Sequence, residues 1–95
     1  MGEIRDMLDE RAVRYGAFPN HATISQSLKS ALFSVRPDVS QHLLTNTQQE
    51  ALEMICHKMA RIVNGDPDYR DNWDDIAGYA TLVSDELKRV EASDV

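Results

Sequence analysis

The chain has 95 residues and a formal charge of −6, enough for one domain with a modest core. That acidic balance argues against a protein that tracks nucleic-acid backbone or lies on an anionic membrane, since both tasks need a basic surface. Cys56 is the sole cysteine, so no intrachain disulfide forms and a reducing, cytoplasmic setting is expected; no apolar run suits a signal peptide or a bilayer span.

The spacing of apolar residues predicts four helices and no strand. The first covers about residues 3–14, with Ile4, Met7 and Leu8 as a thin stripe, Val13 as a weak extension and Gly16 as its stop. Phe18, Pro19 and Asn20 then interrupt the chain. A second helix is expected over about 20–35, capped by Asn20 and ended before Pro37. Its stripe is Ile24, Leu28, Ala31, Leu32 and Val35. Residues 36–46 read as a loop. Thr47 and Glu50 have the spacing of a capping box, so the third helix is expected from Thr47 to Asn64, with Gly65 as its stop. Leu52, Ile55, Cys56, Met59, Ile62 and Val63 fall on one arc of it. Asp66 to Arg70 form a turn. The fourth helix is expected from about Asp71, where Asp71, Asp74 and Asp75 suit the positive end of the helix dipole. Trp73, Ile76, Ala80, Val83, Leu87 and Val90 form a seam that wants a partner helix, in this chain or in a second subunit. Short loops between such helices predict an all-α antiparallel bundle spanning residues 1–95 as one domain, and the amount of apolar stripe predicts a homo-oligomer.

Three groups of residues could carry chemistry. Glu50, Glu53, His57 and Arg61 line the polar face of the third helix, with Lys58 at its edge. One reading is a solvated face with pairs Glu53–His57 and His57–Arg61. The other takes Glu50 and Glu53 as oxygen ligands for a hard cation such as Mg²⁺. On the fourth helix Asp71 and Asp75 stack one turn apart, a like-charge arrangement that calls for a cation or for a facing Lys58 or Arg61. Gly78 continues that line and suggests either close helix packing or ligand approach, with Tyr79 beside it. The run Arg14-Tyr15-Gly16-Ala17-Phe18 offers two aromatic rings that either stack on a base or cover the end of the bundle. His21 and His42 lack a second ligand at metal spacing and receive no role.

Three stretches together resemble an uncharacterised family of small proteins of tailed phages and prophages. They are Arg14-Tyr15-Gly16-Ala17-Phe18, His57-Lys58-Met59-Ala60-Arg61-Ile62, and Asp71 through Tyr79. That resemblance covers about residues 5–87 and implies an origin and a helical fold, not an activity. A second resemblance is to MazG-like all-α nucleoside triphosphate pyrophosphohydrolases, which hold Mg²⁺ on two carboxylate pairs from successive helices. It implies Glu50, Glu53, Asp71 and Asp75 as metal ligands, with Glu53 and Asp75 catalytic. The second pair departs from the Glu-x-x-Asp of those enzymes, because aspartate stands at Asp71 where glutamate is expected. The expected ligand is a nucleotide or a nucleotide-derived small molecule, contacted by Lys58, Arg61, Tyr15, Phe18 and Tyr79. Three outcomes follow: a metal-dependent hydrolase, a binder that sequesters a host signalling nucleotide, or an acidic inhibitor of a host protein.

Overall fold

A computed structural model describes residues 2–34 and 43–93, and all of its regular structure is helical. The helices are α1 (Gly2–Tyr15), α2 (Phe18–Phe33), α3 (Asn46–Asn64) and α4 (Arg70–Ser93). α3 is the centre. α4 packs along one side of it, α2 along another, and α1 touches α3 and α2 more sparingly. The antiparallel α-helical bundle expected from the sequence is therefore the fold. Val35 and Pro37, taken as marking the end of the second helix, lie outside the described residues, as does His42.

Two helix starts differ from expectation. α2 begins at Phe18, with Ala17 as its extended N-cap and Pro19 in its first turn, so Asn20 is not the cap. A proline is tolerated there because the first turn's N–H groups have no helical partner to lose. The capping box of α3 sits two residues earlier than Thr47: the Thr45 hydroxyl accepts from the Gln48 N–H at 3.1 Å, and the Gln48 side chain accepts from the Thr45 N–H at 2.9 Å. Both registers fit the sequence pattern, and the earlier one extends α3 by one residue and gains its first hydrogen bond.

The core is narrow and made of small side chains. Among the described residues Ala51, Cys56 and Ala60 of α3 are the buried apolar ones, and Ser25 and His21 of α2 and Asn72 of α4 are buried as well. Small residues bring helix axes close, but they leave the long ones at the edges. Trp73, expected on the seam of the fourth helix, is 54 % exposed and donates its indole N–H to the Pro67 carbonyl at 2.8 Å, pinning the α3–α4 turn. Ile76 and Val83 of the α4 seam are half-covered, whereas Leu87 and Val90 face outward. Val63, expected on the buried arc, is 74 % exposed. Cys56, on the arc expected to turn inward, is fully buried, and burial pushes its thiol pKa up, so it is an unreactive core residue.

Two turns lock the ends of the helices together. Gly16 ends α1 with φ of 77°, the left-handed conformation that glycine adopts cheaply. A Cβ there would collide with Asn64, and one at Gly65 would collide with the backbone of Arg14 and Tyr15. Across this glycine contact the Asn64 amide donates to the carbonyls of Tyr15 and Ala17, each at 2.9 Å, and the Asp66 N–H donates to the Arg14 carbonyl at 2.7 Å. The joint fixes the angle at which α1 leaves the bundle, and the space under that angle is the cleft described next.

Candidate functional site

α1, the start of α2 and the second half of α3 enclose a cleft of about 450 Å³, within the range of small-molecule sites. Leu8, Ala12 and Phe18 give it apolar walls. Arg11 and Arg61 stand at its sides, and Tyr15, His21 and His57 complete it. The Arg61 guanidinium lies 4.0 Å from the centre of the Tyr15 ring, a cation–π contact that holds both flat groups in place. Tyr15 in turn meets Tyr69 edge-on at 6.1 Å, and Arg14 covers the Tyr69 ring at 4.4 Å. On the other wall Phe18 stacks with His21 at 6.0 Å.

The two histidines form the polar floor. His21 Nε2 lies 3.1 Å from His57 Nδ1, with the rings nearly perpendicular. Two imidazoles at this distance share either a proton or a metal ion. Among the described residues no third His, Cys, Asp or Glu joins them, and Arg61, Lys29 and Lys58 bring positive charge close by, so the proton is the better account. Burial, reinforced by Arg61, pulls His57 down to about 4; burial, again with Arg61 next in size, lowers His21. Both rings are neutral at pH 7. His21 Nδ1 is buried without a partner, and a lone pair there costs less than an unbonded N–H. That cost places the His21 proton on Nε2, donating to His57, and leaves the His57 Nε2–H as a donor with no partner among the described residues. The cleft's charge at neutral pH therefore comes from Arg11 and Arg61. Among the described residues neither forms an ion pair with a carboxylate.

The structure brings together only some of the residues expected from the sequence. Tyr15, Phe18 and Arg61 share the cleft. Lys58 does not: its ammonium is buried against α4 and pairs with Asp75 at 3.0 Å. Tyr79 lines a separate shallow groove with Glu50, Ala51, Leu82 and Val83. The acidic residues are held apart by different partners. Glu53 pairs with Lys29 at 3.8 Å and accepts from Gln49 at 3.3 Å, so it is not paired with His57. Asp71 accepts from the Tyr69 hydroxyl at 3.0 Å, and Asp74 pairs with Arg70 at 3.3 Å. Among the described residues no group of three or more such side chains is placed to hold a metal ion. A Cβ at Gly78 would meet nothing among the described residues, so no described helix packs closely on it. Arg11 and His21 were not singled out by spacing. Their contacts run between helices, and His21 and His57 stand 36 positions apart.

A family model described as "Domain of unknown function (DUF6378)" matches residues 3–87, nearly the whole chain. No curated protein and no solved structure matches.

Proposed function

We propose that this chain, which belongs to the DUF6378 family of domains of unknown function, clasps a phosphorylated nucleotide in the cleft between α1, α2 and α3. The observation that carries the reading is the convergence of Arg11 and Arg61 on aromatic walls, in a chain of net charge −6 that offers many carboxylates and pairs these arginines with none among the described residues. A guanidinium fork matches the oxygens of a phosphate, and the Tyr15 and Phe18 rings offer flat faces to a base. The His57 Nε2–H adds a neutral donor. The one imidazole lone pair that this tautomer leaves unpartnered, His21 Nδ1, is buried, so the reading is binding without turnover.

The resemblance to tailed-phage and prophage proteins extends the proposal to the ligand's source, a host signalling nucleotide withdrawn from solution. The metal-dependent, MazG-like alternative draws no support from the geometry: Glu50, Glu53, Asp71 and Asp75 would have to converge around Mg²⁺, and three of the four are held by unrelated partners.

Isothermal titration with linear and cyclic nucleotides, with and without EDTA, tests the proposal. Binding is expected to survive EDTA, to return the ligand intact, and to fail for the phosphate-free nucleoside. Losing one charge-assisted contact costs about 1.5–3 kcal/mol, so Arg61→Met is expected to weaken binding at least about tenfold. No heat with any nucleotide, or affinities unchanged in Arg61→Met and Tyr15→Ala, rejects it.

A further inference from the structure

α1 is a helix without a core. None of its fourteen residues is buried, and Ile4, Met7 and Leu8 are 59 %, 45 % and 45 % exposed. A helix of that length is marginal in water unless an apolar face is covered. The whole molecule shows the same deficit. It exposes 7382 Å², whereas a compact chain of this size exposes about 5,500 Å². Its radius of gyration is 16.7 Å, against about 12.4 Å for a compact chain of 95 residues. The surplus exceeds the roughly 800 Å² that each partner contributes to a standard stable interface.

We infer that a second copy of this chain covers the α1 stripe, the two α1 helices meeting antiparallel across Ile4 and Met7. A two-fold pair lets each stripe cover the other with the same residues. Charge permits it. α1 carries Glu3, Asp6, Asp9 and Glu10 against Arg5, Arg11 and Arg14, a balance of −1, whereas α4, the other helix with a row of exposed apolar residues, sets Asp71, Asp74, Asp75, Asp85, Glu86 and Glu91 against Arg70, Lys88 and Arg89, so two copies repel less across α1 than across α4. A membrane surface is the poorer occupant, because an interfacial helix needs a polar face rich in lysine and arginine.

Sedimentation equilibrium from about 1 to 100 µM, the range in which a weak or moderate homodimer dissociates, reads this directly. The wild-type chain is expected to be dimeric at the upper end, and Ile4→Glu/Met7→Glu to be monomeric throughout. Val90→Glu, an exposed apolar site near the other end of α4, is expected to dimerise as wild type. Since the double variant could unfold, a second measurement uses the native chain: its far-UV helical signal is expected to fall on dilution through the dimer midpoint, as freed α1 melts. A wild-type chain monomeric at 100 µM, a helical signal constant across the midpoint, or dissociation by Val90→Glu and not by the α1 variant overturns the inference.

Discussion

At the scale of single residues, the Lys58–Asp75 pair and the His21–His57 pair set two expectations. Lys58 is buried while Asp75 is half-exposed, so removing either partner does different things. Asp75→Ala strands a buried ammonium and is expected to cost about 1–3 kcal/mol in urea unfolding. Lys58→Met removes the charge with its desolvation cost and is expected to fall within about 1 kcal/mol of wild type. The histidine pair makes stability depend on pH. His57 titrates at about 4 in the fold and near 6.5 when unfolded, and His21 is lowered in the same sense. The unfolded chain therefore binds protons first, so this contribution is complete above pH 6.5 and is lost as pH falls toward 4. Urea midpoints across that window are expected to decline, and less steeply in His57→Gln. The facing of Lys58 toward Asp75 was legible in the sequence, because two like charges a turn apart ask for a counter-charge. Arg61 answered the same description and went to Tyr15 instead, since helical spacing fixes only a side chain's angle about its axis and not which neighbour fills it.

At the scale of helices, periodicity carried most of the fold. Existence and order of all four helices were legible, as were the stops at Gly16 and Gly65. The starts were less so, because Thr45 and Thr47 each have Gln or Glu three residues on, and a proline reads equally as a break or as a first turn. Burial was legible only in part. The apolar arcs of α3 and α4 mark which face turns inward, but the bundle covers all of the α3 arc except Val63 and, of the α4 arc, only Ile76 and Val83 in part. The glycine contact between the α1–α2 and α3–α4 turns was invisible in spacing, and it is open to test. Gly16→Ala would force a left-handed alanine against Asn64. A loss of about 2 kcal/mol or more in unfolding free energy is expected.

At the scale of the molecule, the cleft and the exposed stripe share a helix. α1 contributes Leu8, Arg11, Ala12 and Tyr15 to the cleft, and Ile4 and Met7 to the face that a second copy would cover. Whatever holds α1 helical also holds that wall. The proposed dimerisation and the proposed nucleotide binding would then be linked, each strengthening the other by the same factor. Ile4→Glu/Met7→Glu is expected to weaken nucleotide binding although neither residue lines the cleft, as titration of the variant against wild type would show. That one helix serves both was not legible in the sequence, where the α1 stripe and the aromatic run at its end read as separate features.

The double grip of Asn64 on Tyr15 and Ala17 spans 49 and 47 positions of chain. Contacts so far apart in sequence are expected to close late, after the nearer contacts of the α3–α4 hairpin have formed. The same order run backwards makes the α1 segment the first to let go in native fluctuations. Hydrogen exchange should then find its amides opening while those of α3 stay protected, so that the chain sheds and regains one wall of its cleft without melting the scaffold behind it.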